Sequence, residues 1–137
     1  MEYKKAFELV KSFDKGASPL PGGGISLKGV LASEEINIEI YYEPVNFQIN
    51  IGDLTILDKV EQEEVMFEEI EGFLHNFMQN YTNKGIEITI STLFGRKACE
   101  VSFKNEPSIP HFQYDTAAAG IVKRFGKRST PILLLPR

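Results

Sequence analysis

Tryptophan is absent from this 137-residue chain, cysteine occurs once and histidine twice. A lone Cys99 makes no internal disulfide, and with His75 and His111 it falls short of a four-ligand zinc cluster unless carboxylates join it. Disulfide scaffolds and zinc fingers are thereby excluded. Long apolar runs are missing as well: the longest strongly aliphatic stretch is Ile132 to Leu135, whereas a membrane-spanning helix needs about 20 such residues. Residues Met1 to Lys15 mix Lys and Glu with aromatics and contain no apolar stretch followed by a small-residue cleavage site, so the expected location is cytoplasmic. Motifs that name a reaction are lacking too. There is no Gly-x-Ser-x-Gly elbow, no His-Glu-x-x-His, and no glycine loop ending in Gly-Lys-Ser/Thr ahead of a helix. The expectation is a protein without a cofactor or bound metal, and more readily a binding protein than an enzyme.

Hydrophobic residues make up 42% and charged residues 25%, the balance of an ordinary globular chain, and the length suits one domain over residues 1–137. From Tyr3 to Phe13, the residues Tyr3, Ala6, Phe7, Val10 and Phe13 recur on one side of a 3.6-residue spiral, which predicts a helix. Pro19 to Gly24 breaks any period and reads as a loop. Four runs of period two follow: Ile25 to Leu31, Ile36 to Tyr42, Val45 to Ile51, and Leu54 to Leu57. Such alternation buries one face and wets the other, the habit of antiparallel sheets. Gly52-Asp53 fits a two-residue hairpin with Gly at its first central position.

Between Glu61 and Tyr81 the period turns helical through Phe67, Ile70, Leu74, Phe77 and Tyr81, and Asn83-Lys84-Gly85 supplies the stop. Alternation resumes at Ile86 to Ile90 and at Cys99 to Phe103, joined near Gly95, with Cys99 expected on the buried face. A brief extended stretch is expected at His111 to Tyr114. A short helix capped by Asp115 or Thr116 then runs to Phe125 and ends at Gly126. Ile132 to Leu135 reads as a strand covered on both sides and central in its sheet. The fold class is α+β: one antiparallel-rich sheet in the order α-β-β-β-β-α-β-β-(β)-α-β, with helices packed mainly on one face.

Charge is divided unevenly. Residues 1–71 hold 6 basic and 15 acidic side chains, net −9, and residues 72–137 hold 9 and 4, net +5, which gives the total of −4. Glu61, Glu64, Glu68 and Glu71 step by three and four along a stripe beside the apolar face and lead to His75. Like charges at that spacing weaken an isolated helix by about 0.2–0.5 kcal/mol per pair. The helix dipole favours acids in the first turn but not beyond it, so Glu68 and Glu71 require another account. A basic protein partner facing the stripe provides one. The stripe, Glu61, Glu64, Glu68, Glu71 and His75, is therefore the candidate partner-binding site.

Lys123, Arg124, Lys127, Arg128 and Arg137, with Phe125 nearby, form the opposite cluster, and Lys123, Arg124, Lys127 and Arg128 are the candidate anion site. Basic residues in the last turn of a helix also simply complement its dipole. Nucleic acid is disfavoured as a ligand, because the net charge is acidic and no aromatic platforms interleave with the cluster. Pairing of the two charged regions within one molecule, or head to tail between copies in a homo-oligomer, completes the alternatives.

In general type such a protein resembles the small bacterial immunity proteins that neutralise a toxin, a likeness of type that rests on no shared motif. The alternative is a small-ligand site or hydrolase-like centre between the 19–24 loop and the 111–115 segment, with His111 and Asp115 as base and orienter and Ser108, Ser129 or Thr130 as nucleophile. A phage or secretion-apparatus assembly subunit is the third reading.

Overall fold

A computed structural model describes residues 3–43, 46–59, 64–102 and 117–137, with the side chains of 42–43, 46–47, 56–59, 64–70 and 117 outside the description. Helix α1 spans Tyr3–Phe13, as its apolar spacing predicts. It is followed by β1 (Ser18–Leu20), β2 (Gly24–Leu31), β3 (Glu34–Glu43), β4 (Asn46–Ile51) and β5 (Leu54–Lys59). Helix α2 (Glu64–Asn83) precedes β6 (Ile86–Leu93) and β7 (Arg96–Ser102). Helix α3 (Ala117–Phe125), β8 (Lys127–Arg128) and β9 (Ile132–Pro136) complete the described elements.

The fold is α+β. All strand pairs among the described residues are antiparallel, in the order β5-β4-β3-β2-β9-β6-β7, with β1 added beside β2 and β8 beside β6. The sheet curls until its first and last strands lie together, making it nearly a barrel. The Cys99 thiol on β7 donates across that seam to the Thr55 carbonyl on β5, 3.4 Å away.

Alternation decides what lies inside the curl. Leu27, Ile38 and Ile51 sit opposite one another across β2, β3 and β4, and Ile25, Ile40 and Ile49 form the next row. All six are fully buried. From the helices, Ala6 and Val10 of α1 join Phe73, Leu74, Phe77, Met78 and Tyr81 of α2 in the same core. Burying each large apolar side chain contributes roughly 1.5–3 kcal/mol, so these rows dominate the favourable side of folding.

Gly29 occupies an inward position of β2 opposite Ile36 and leaves a gap in the apolar row. Tyr81 fills it from α2: its hydroxyl crosses Gly29 to donate to the Lys28 carbonyl at 3.0 Å. Burial, with the Asp14 carboxylate as the lesser cause, raises the Tyr81 phenol well above its ordinary range. The α2 stop is the predicted one. Gly85 takes φ +80° and its amide, with that of Lys84, donates to the Asn80 carbonyl.

Helix α3 lies on the other face. Ala98 and Ser91 are cross-strand partners, both buried, and they alternate with the inward Cys99 and Ile90. Val122 of α3 is buried against this outward face of β6 and β7, away from the main core. The chain then turns so closely onto β6 that a side-chain carbon at Gly126 would stand 2.4 Å from the Val122 carbonyl oxygen and 2.7 Å from that of Thr92.

Two short strands were not foreseen. Pro19 and Leu20, read as loop, pair with β2 in β1, where an edge position accommodates the missing proline amide. Lys127 and Arg128 pair with Thr92 and Ser91 in β8. Between β8 and β9 the register against β6 slips by one residue. Ser129 bridges the bulge, its amide donating to the Ile90 carbonyl and its hydroxyl accepting from the Ile90 amide.

Strand β9 is central, between β2 and β6. Its expected coverage on both sides holds only for the inner one. Leu134 is fully buried, but Leu133 and Leu135 face outward and each keeps 39% of its surface exposed, because α3 covers β6 and β7 rather than β9. The extended stretch expected at 111–114 and the helix cap at 115–116 lie outside the described residues.

Candidate interaction surfaces

Helix α2 is fixed in rotation by its buried side: Phe73, Leu74, Phe77, Met78 and Tyr81 all face the core. Glu71 and His75, one turn apart on the same row, are exposed. Positions 64 and 68 fall on that row by helical spacing. Their side chains, like all of Glu61, lie outside the described residues. The His75 ring meets Phe13 of α1 edge-on, with centroids 5.4 Å apart, so one flank of the stripe abuts α1.

The arginines do not turn back to Glu71. Arg137 pairs with Glu35 at 3.3 Å and Arg128 with Glu100 at 3.0 Å, both on the outside of the sheet. These exposed pairs contribute little to stability, at most about 1 kcal/mol each. Among the described residues no group of three or more His, Cys, Asp or Glu stands close enough to hold a metal ion.

The described residues of the alternative site have backbone and packing roles. Gly24 opens β2 with its carbonyl accepting from the Tyr3 hydroxyl at 3.0 Å, and a side-chain carbon there would overlap the Tyr41 ring at 2.8 Å. That glycine serves packing. Ser129, considered as a nucleophile, has its hydroxyl committed to the backbone: it accepts from the Ile90 amide and donates to the Thr130 carbonyl at 2.9 Å. His111, Asp115 and Ser108 lie outside the described residues.

The basic cluster is drawn together more tightly than its spacing implies. In register across β8, β6 and β7 stand Lys127, Thr92 and Lys97, so the two lysines flank Thr92 on one face of the sheet. Their backbones are thus about 10 Å apart, twice the strand spacing. Arg96 follows Thr92's strand around the hairpin, and Arg124 lies over the Phe125 ring, 5.4 Å from its centroid. Lys123 is half-buried on α3, while Arg124, Lys127 and Arg128 are exposed.

Sequence reasoning placed Phe125 beside the cluster but missed Phe94 and the exposure of both rings. Phe94, at the tip of the β6–β7 hairpin, is 96% exposed, and Phe125, at the end of α3, is 67% exposed. The tip is a two-residue turn in which both residues take positive φ, +48° at Phe94 and +76° at Gly95. Asn, Asp and Gly ordinarily fill such turns; a bulky residue at the first position is strained. The signal was legible as Phe-Gly where Asn-Gly would be expected, with Arg96-Lys97 directly behind.

No helix among the described residues is long and apolar enough to cross a membrane. Comparison with protein-family models, with curated protein sequences and with solved structures finds no match.

Proposed function

We propose that this protein is a non-catalytic binding module, of the immunity or antitoxin type, that docks a basic protein partner through the acidic row of α2 in the cytoplasm. The observation that supports the reading is the exposure of Glu71 and His75 on a helix whose opposite side is locked in the core. A row held that rigidly loses little freedom on binding, which favours association. The two arginine ion pairs support it as well, because Glu35 and Glu100 satisfy Arg137 and Arg128 and leave Glu71 outside that pairing.

Complementary charge of this kind accelerates encounter and selects the partner, and it is screened over about 8–10 Å at physiological salt. The test is a pull-down from lysate of the source cell across a salt series, with captured proteins identified by mass spectrometry. The expected result is a basic protein retained at low salt, released as salt rises, and lost when Glu64, Glu68 and Glu71 are replaced by Lys. A captured set that is unchanged by the triple replacement removes the acidic row from the explanation.

A further inference from the structure

The β6–β7 hairpin tip and the corner between α3 and β8 are the same end of the molecule. Gly126 is packed on Thr92, one residue beyond Phe125 and two before Phe94. Chain reach then limits the separation of the two aromatic Cα atoms to about 17 Å. Arg96 and Lys97 directly follow the Phe94-Gly95 turn, Arg124 lies over the Phe125 ring and Lys127 comes two residues after it; all four are exposed and none is in an ion pair among the described residues. From 117 to 137 the sequence contains five basic residues and no acid.

We propose that this end binds single-stranded nucleic acid, with Phe94 and Phe125 stacking on bases and the four cations contacting phosphates. Two observations converge on that ligand. The Lys127–Thr92–Lys97 row sets two lysines on one face with a single threonine between them, so a run of phosphates lying across it meets both. The exposed rings supply what a simple anion site would not need, since every base presents a π-face to an aromatic side chain. A duplex hides those faces within its own stack, so the unpaired strand is the form that fits.

The net charge of −4 does not oppose this, because 15 of the 19 acids fall in residues 1–71, whereas residues 72–137, which supply all of these side chains, carry a net +5. The strain at Phe94 has a place in the scheme too: the backbone is held in a conformation poor for Phe, and the ring is thereby presented beyond the sheet. The proposal stands apart from the acidic-row reading and uses different residues.

The test is fluorescence anisotropy of the full chain with a labelled oligodeoxythymidine of about 20 nucleotides, a length that spans the site sizes of small single-strand binders. With four phosphate contacts, the affinity falls roughly 50-fold between 50 and 200 mM salt, from a slope of about −0.7 per contact. Phe94→Asn suits the positive-φ turn, so it keeps or raises the unfolding midpoint while weakening binding about tenfold or more, the loss of one stacked base. Lys97→Glu with Lys127→Glu abolishes binding at the higher salt, with the circular dichroism spectrum as the check on folding.

Three results overturn the proposal. These are no binding at the lower salt, wild-type affinity in Phe94→Asn and in the lysine variant alike, or binding to vesicles containing phosphatidylserine with none to the oligonucleotide. The last would reassign the surface to a lipid headgroup layer.

Discussion

Tyr81 and Gly29 offer the sharpest check on how the fold is held together. A methyl group at Gly29 would stand 3.0 Å from the Tyr81 hydroxyl, 3.0 Å from Ile38 Cδ1 and 3.1 Å from the Leu135 carbonyl oxygen. The Ile38 methyl can yield, but the carbonyl belongs to the central strand and cannot. Gly29→Ala therefore destabilises by about 1–2 kcal/mol, overpacking partly offset by the stiffer unfolded chain. Tyr81→Phe removes the bond to Lys28, a net loss of about 1 kcal/mol. That carbonyl keeps a longer bond from the Arg137 amide at 3.4 Å, which spares it full orphaning.

Without the hydroxyl, the added methyl loses one of its three close neighbours. The double variant is thus less destabilised than the two single effects combined, with a coupling of about 0.5–1 kcal/mol. Urea unfolding followed by circular dichroism measures all three variants, with an unchanged slope as the condition for comparison. Strict additivity, or a stabilising Gly29→Ala, would refute the claim that the phenol crosses this glycine.

Two further outcomes follow from the same description. The Tyr81 phenol is raised in the folded state, so its neutral form is favoured there. Its contribution is complete below the unfolded pKa of about 10 and is lost as pH rises beyond it, so the wild type loses more stability than Tyr81→Phe in an alkaline urea series. At the β2–β3 hairpin, Ala32 and Ser33 take φ +52° and +68° without glycine or asparagine. Ala32→Asn should stabilise by about 0.5–1 kcal/mol, read as an unfolding midpoint raised by a few degrees.

What could be read from the sequence was what periodicity and punctuation encode. Helix α1 has its predicted bounds, α2 stops at the Asn83-Lys84-Gly85 signal, and Gly52 takes φ +60° at the tip of a two-residue turn with Ile51 opposite Leu54. Long-range partners left no such trace. Gly29 appears merely as a missed beat in an apolar row until Tyr81, far along the chain, is seen to occupy it. The Ala32-Ser33 turn lacks the residues that usually mark one, and β1 and β8 are too short to show a period.

The placement of α3 opposite α1 and α2 is a property of the sheet's two faces, and alternation alone does not say which helix covers which. For the candidate surfaces, the charged rows were visible in the residue spacing. The exposure of Phe94 and Phe125 was not, because ten phenylalanines read alike until burial separates them.

The order of the strands also bears on how the molecule is born. The first five strands can zip into a meander, and β6 and β7 into a hairpin, as each is synthesised, but the two parts share their central neighbour, β9, which is translated after all of them. A ribosome that has not yet released β9 therefore presents two unjoined half-sheets whose inner edges, on β2 and β6, remain open to strangers. Nascent chains of this protein should lean on chaperones most heavily in that interval.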